Sequence, residues 1–139
     1  MLASVEQTIE GAVEEAVQDP ASVRQVIKDG FPIGWFDHLS GLFGTSALTF
    51  AGIVGIDSRT LSRRRHEGRL SSRESNALYH LAVLYAHARD VLGSAETVKE
   101  WLHSPEPDFA GVPPIELIDT APGIKEVDQL LGRIEHGVF

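Results

Sequence analysis

The sequence predicts an all-α protein, on three observations. Apolar residues recur at three- and four-residue spacing in one segment after another. Capping residues and glycines punctuate those segments at helical lengths. No stretch sustains the alternation of apolar and polar residues that a half-buried strand needs.

Taken in order, Leu2, Val5, Ile9, Ala12, Val13 and Ala16 form one apolar stripe, with Glu6, Glu10, Glu14 and Glu15 opposite. This acidic first helix is expected to pack on the third. Asp19-Pro20 supplies a cap and a first-turn proline for a second helix, with Val23, Val26 and Ile27 inward and Gly30 as its stop. Pro32 opens a third helix carrying Trp35, Phe36, Leu39 and Phe43, which ends near Gly44. Thr45 or Ser46 caps a short helix through Val54, Gly55 makes a turn, and Asp57 or Ser58 caps a helix through His66, with Gly68 beyond it. Ser71 and Glu74 have capping-box spacing and open the longest helix, over about 72–92. Ser94 caps a helix through His103, followed by a proline-rich loop and a short helical turn around Ile115–Ile118. The last helix runs from about Pro122 to His136, with Gly137 as a left-handed cap on which Val138 can fold back.

Composition narrows the function classes. The chain has 139 residues, 42% of them hydrophobic, which suits one ordinary domain or two small ones sharing a core. It has no cysteine, so disulfides, thiolate metal sites and cysteine nucleophiles are excluded. No apolar run approaches the roughly 18 residues of a membrane span, and no basic leader precedes the first helix, so a cytoplasmic protein is expected. The six histidines lack metal-site spacing; His80 and His87 could share one helix face but read as polar-edge or core-satisfied residues. No acid, base or nucleophile converges in the local sequence, so neither an enzyme nor a cofactor is expected.

The net charge of −8 conceals a block structure. Residues 1–58 carry two basic and eight acidic groups, residues 59–73 six arginines against Glu67, and residues 74–139 four basic and eleven acidic groups. Half of the basic residues therefore fall within fifteen positions, and binding to nucleic acid depends on local phosphate neutralisation rather than total charge. The same window carries helix–turn–helix chemistry. Ala51 is small where two helices would cross, Gly55 tolerates positive φ in the tight turn, and Ile56 and Leu61 face inward. The second helix offers Ser58, Arg59, Thr60, Arg63, Arg64 and Arg65 to double-stranded DNA, arginine to guanine or phosphate and the hydroxyls to phosphate. Arg64 stands where a third apolar contact usually falls. Four neutralised phosphates per copy would give a log–log salt slope of about −3.6. A solvated helix face, or a patch for an acidic protein, is the bland reading of the same arginines.

The second half is read by its strings: RRRHEGRLSSRES (63–75), VLGSAETVKEWLHSPEP (91–107), GVPPIELIDT (111–120) and IKEVDQLLGRIEHGVF (124–139). Over about residues 32–139 these resemble the Xre/ParS/MbcA-type antitoxins of RES–Xre toxin–antitoxin systems. The specific part is the combined pattern of Gly93, Trp101-Leu102, Pro114-x-x-Leu117-Ile118-x-Thr120 and Leu131-x-Arg133-Ile134-x-x-Gly137-Val138. Departures are Leu92-Gly93-Ser94 where Phe-Gly-Asp is common, and Asp108-Phe109-Ala110-Gly111 where a Leu-Gly-Gly type turn is common. The resemblance implies a helical N-terminal region at 1–70 containing the helix–turn–helix and a helical toxin-binding domain at 71–139. It implies a RES-domain toxin as partner, of a family linked to consumption or transfer of the ADP-ribose part of NAD. It also implies a non-catalytic, usually dimeric protein that often represses its own operon.

Trp101, Leu102, Pro113, Pro114, Ile115, Leu117 and Ile118 form a dense apolar set around an irregular loop, and either close a small core or face a partner. Arg133, His136, Gly137, Val138 and Phe139 are expected to reach toward the toxin's cleft. The acidic balance of this half suits a partner with a basic groove. A transcriptional regulator whose C-terminal half only dimerises is the second reading of the same residues.

Overall fold

In the computed structural model, which describes residues 8–137, one long helix is the strut on which the others lean. Eight α-helices are described: α1 (Ile9–Gln18), α2 (Pro20–Asp29), α3 (Ile33–Leu42), α4 (Ala47–Val54), α5 (Ser58–Glu67), α6 (Ser72–Leu92), α7 (Ala95–His103) and α8 (Ala121–His136). Two 3-10 turns, Pro107–Phe109 and Pro114–Glu116, interrupt the loop before α8. The fold is all-helical; the one β-type contact among the described residues is an isolated antiparallel bridge between Pro32 and Arg69. Leu2, Val5 and Glu6 of the expected first helix, and Val138 and Phe139 at the other end, lie outside the described residues.

The sequence accounts for α6 most directly. Ser71 Oγ accepts from the Glu74 amide at 3.2 Å while Glu74 Oε1 accepts from the Ser71 amide at 2.8 Å, so both exposed N–H groups are satisfied. Gly93 ends the helix. Leu78, Leu81, Ala82, Leu84, Tyr85 and Ala88 are all buried, a wider arc than a single stripe, because α1, α2, α4, α7 and α8 pack around α6. The expectation that α1 packs on α3 is corrected: α1 lies against α2 and α6 and reaches α3 through the His38–Glu10 ion pair, 2.9 Å.

Phe36 of α3 and Phe43 at its C-cap meet Phe50 of α4 at ring-centroid distances of 5.4 and 5.3 Å, and Phe43 meets Tyr85 at 5.7 Å. Each such ring, fully buried, contributes about 1.5–3 kcal/mol. One continuous core runs from Ile9 through these rings to Leu131, crossing residue 70 without a break.

The segments flanking the helix–turn–helix are stitched to each other. The Leu70 amide donates to the Phe31 carbonyl at 2.9 Å, and the Ile33 amide to the Gly68 carbonyl at 3.0 Å. Ser75, wholly buried on α6, accepts from the Phe31 amide at 2.7 Å and donates to the Ser71 carbonyl at 2.7 Å. The start of α3 and the end of α5 are thereby fixed to the start of α6.

Candidate functional site

α4 and α5 form the expected helix–turn–helix. Gly55 caps α4 in the left-handed region at φ 94°, and the Gly55 and Ile56 amides both donate to the Ala51 carbonyl. Ala51, Ile56 and Leu61 are buried, as the spacing requires. Asp57 caps α5, accepting from the Thr60 amide at 2.7 Å; that bond holds its carboxyl below the usual value, with Arg59 and Arg63 adding to the effect. Thr8, Asp19, Ser46, Ser94 and Thr120 cap other helices in the same way.

The structure divides the six residues expected on the DNA face. Ser58, Arg59 and Arg63 are exposed on α5, and neither arginine makes an ion pair among the described residues. Thr60 is half-buried. Arg64 turns inward: its Nε and Nη2 donate to the two Glu74 carboxylate oxygens at 2.7 and 3.1 Å, and Nη1 donates to Glu67 at 3.1 Å. Arg65 pairs bidentately with Asp37 of α3 at 2.8 and 2.9 Å. Arg64 therefore occupies the position of the missing apolar contact and fills it with a carboxylate clamp on α6. These pairs raise both guanidinium groups above their usual value, against the opposing effect of burial. Burial pushes the Glu74 carboxyl up, but the Arg64 and Ser71 hydrogen bonds outweigh it and leave the carboxyl below its usual value. Ser62 and His66 also lie on the exposed side of α5 with Arg59 and Arg63. The 3.6-residue period would have placed all four on one face.

The loop before α8 draws part of the second expected set together. Trp101 is half-buried, and its Nε1 donates to Glu106 at 3.3 Å. The 3-10 turn at Pro114–Glu116 packs on α7; Pro114 is buried, while Pro113 and Leu117 are half-buried. Arg133 on α8 lies 3.6 Å from Asp108, which ties the helix to the same loop. Gln129, Gly132, Arg133 and His136 share a shallow depression on α8, and Gly137 is exposed at its end. Gly123 allows the close approach of α8 to the loop, since a Cβ there would overlap the Leu117 carbonyl oxygen. Ala110, not glycine, holds a left-handed conformation (φ 56°) in this loop, at a cost of about 1 kcal/mol.

His87 joins α6 to α8 in a way the sequence did not announce. Its Nδ1 lies 2.7 Å from Asp128 and its Nε2 3.1 Å from Glu135. Carboxylates on both nitrogens require both to donate, which only the imidazolium can do. Burial opposes that charge, but the two hydrogen bonds outweigh it and raise His87 above the ordinary histidine value. The carboxylates sit on divergent ring nitrogens and so do not converge on one ion. Among the described residues no group of three histidine, aspartate or glutamate side chains is placed to hold a metal. No described helix is long and apolar enough to cross a membrane.

Comparison with known proteins divides the chain at the middle of α6. A family model of the antitoxin Xre-like helix–turn–helix domain matches residues 22–83. A model of the antitoxin Xre/MbcA/ParS C-terminal toxin-binding domain matches residues 87–137. The chain is 32% identical over 126 residues to the antitoxin Xre of Yersinia enterocolitica, covering 86% of this chain and 85% of the relative. It is 28% identical over 115 residues to the antitoxin Xre of Photorhabdus laumondii, 81% and 78% of the two chains. A Sphingobium protein named as the Prs ADP-ribosylating antitoxin is 32% identical over 79 residues, half of each chain.

Proposed function

Because the chain belongs to the Xre antitoxin family, we propose that it neutralises a RES-domain toxin through its C-terminal half and represses its own operon through α5. The observation that carries the DNA-binding part is the division of the arginines. Arg64 and Arg65 are committed to carboxylates within the molecule, while Arg59 and Arg63, one helical turn apart, are exposed beside Ser58 and make no ion pair among the described residues. Double-stranded operator DNA is the ligand that this cationic face suits, and Arg59 and Arg63 are its principal contacts.

For the toxin, the supporting features are the loop-anchored set of Trp101, Pro113, Pro114 and Leu117 and the exposed end of α8 with Arg133, His136 and Gly137. The net −7 of residues 74–139 favours a partner with a basic cleft, as expected of a protein that holds a nucleotide's phosphates. The Sphingobium relative's name links this family to ADP-ribosylation, consistent with a toxin acting on NAD. The family models that match describe an antitoxin's DNA-binding and toxin-binding domains, which supports reading the protein as an inhibitor.

Two measurements test the two halves separately. Titrating salt against binding to the DNA upstream of the gene gives a log–log slope of about −1.8 per copy if Arg59 and Arg63 each neutralise one phosphate, half of what four free arginines give. Replacing both by Ala removes the salt dependence and the binding together; retention of tight, salt-sensitive binding refutes the α5 assignment. Co-expression with a RES-domain toxin from the neighbouring gene restores growth and yields a purifiable complex; an active, unbound toxin refutes the antitoxin reading.

A further inference from the structure

A groove of about 600 Å³ lies between α4, α6 and the start of α8, and it shares no residue with the α5 face or with the Trp101 and α8-end set. Its floor is apolar: Leu81, Leu84 and Ile118 are buried, and Ile53, Val54 and Ile124 flank them half-buried. Val83, also in the lining, is 39% exposed, one of few large apolar side chains left uncovered. The volume falls within the ~300–1,000 Å³ typical of small-molecule sites. The groove also follows the seam between the two matched family domains, with α4 and the first part of α6 on one side and residues 118–128 on the other. Ligand pockets concentrate at such seams.

The charges of the lining select its occupant. Asp128 is engaged by His87 at 2.7 Å, so its charge is answered within the protein. Arg73 and Lys125 are exposed and make no ion pair among the described residues. Against these two cations stands Asp119, the remaining carboxylate of the lining. On a molecule of net charge −8, the groove therefore keeps an excess of positive charge beside an apolar floor. Thr120 adds a donor: its oxygen accepts from the Gly123 amide at 3.1 Å, which leaves its O–H to donate.

We propose that this groove binds a small monocarboxylate with an aliphatic body. The chain lies over Leu81, Leu84 and Ile118, and the carboxylate is met by the unpaired cations of the lining. One negative charge matches the excess, whereas a phosphate monoester brings a second that Asp119 repels. A cationic body of the same length has the wrong sign for Arg73 and Lys125. A ligand seated here touches α4, α6 and α8 at once, and so joins the two halves of the chain. Its binding requires neither toxin nor DNA.

The test titrates octanoate into the full chain, without toxin or DNA, and follows the methyl resonances. Those of Ile53, Val83, Ile118 and Ile124 shift and saturate, while that of Val112, a valine of similar exposure (37%) outside the groove, stays in place. Affinity rises about fourfold per methylene from butanoate to octanoate, as burial of the chain requires. Lys125→Glu, at an exposed position, weakens octanoate about tenfold. Lys99→Glu makes the same change of charge at an exposed position on α7 and leaves the affinity unaltered. Octylammonium binds the parent roughly tenfold more weakly than octanoate and gains from Lys125→Glu. Shifts that never saturate, octylammonium bound as tightly as octanoate, or an equal loss in both lysine variants overturn the proposal. So does octanoate that is displaced as the chain concentration rises, because another protein surface then covers the groove.

Discussion

α8 packs along α6 while α5 reaches it through the Arg64–Glu74 clamp, so different chemistry ties each of them to the long helix. α8 buries Val127, Leu130 and Leu131 along one side, together with Gly123 at its start. α5 has Leu61 as its one fully buried residue, and Arg64 takes up the next inward position with its clamp on Glu74. A helix whose outward face carries exposed cations has little room for an apolar stripe in ten residues. Polar clamping keeps α5 in place without widening that stripe. The price is a sensitivity to salt and acid, whereas at α8 charge enters only through the exposed pairs of His87 with Asp128 and Glu135, beside an apolar stripe.

The largest expected effect tests the apolar side of this contrast. Leu131→Ala removes a fully buried side chain from the α6–α8 contact and should lower the unfolding free energy by about 3 kcal/mol. Urea unfolding at low and high salt should return the same loss. A loss that shrinks as salt rises would show that α8 is held by charge after all.

Arg64→Met probes the polar side and should cost less, about 2 kcal/mol, because it keeps the aliphatic stem but leaves Glu74 without its guanidinium partner. Arg64 and Glu74 side chains are 17% and 14% exposed, so the pair is neither a surface bridge nor a fully buried one. The parent's advantage should narrow at high salt. DNA affinity should fall far less than with Arg63→Ala, once the fraction folded is taken into account. If Arg64→Met abolishes DNA binding in a folded protein, the guanidinium serves the duplex and the division of labour on α5 is wrong.

Legibility in the sequence follows the range of the interactions. The bounds of α6 were readable because the capping box at Ser71 and Glu74 and the stop at Gly93 act within a few residues. The helix–turn–helix was readable for the same reason, through Ala51, Gly55 and Leu61. Even the anomaly at Arg64 was visible as a missing apolar residue. Its solution was not, because the partner is Glu74, ten residues away on another helix, and Glu74 already had a local role in the cap. Arg65 with Asp37, and His87 with Asp128 and Glu135, span 28 to 48 residues and leave no periodic trace. The 3-10 turn at Pro107–Phe109 was hidden in a proline-rich loop with no helical period to mark it. The two family models meet inside α6, whereas the sequence reading divides the chain at residue 70, before that helix. The shared core explains why composition alone marks no boundary there.

The smallest expected effect separates the two helices by sign. The Glu74 carboxyl, held low by Arg64 and Ser71 against burial, stabilises the α5–α6 contact above its ordinary value near 4.5, and that contribution is lost as pH falls through the lowered value. His87, raised above 6.5 by Asp128 and Glu135 against burial, contributes in full below 6.5 and loses its contribution as pH rises through the raised value. Acid therefore loosens α5, and mild alkali loosens α8. Both carboxylate partners of His87 are about half exposed, at 52% and 46%, which limits the alkaline effect to below about 1 kcal/mol. The difference in unfolding free energy between the parent and His87→Gln should be greatest at or below about pH 6.5 and fall towards zero at higher pH. The His87 ring-proton resonance should titrate above the ordinary histidine range over the same interval. A difference that stays flat with pH would mean that α8 rests on its leucines alone, and that the imidazole between the two carboxylates adds nothing to its hold.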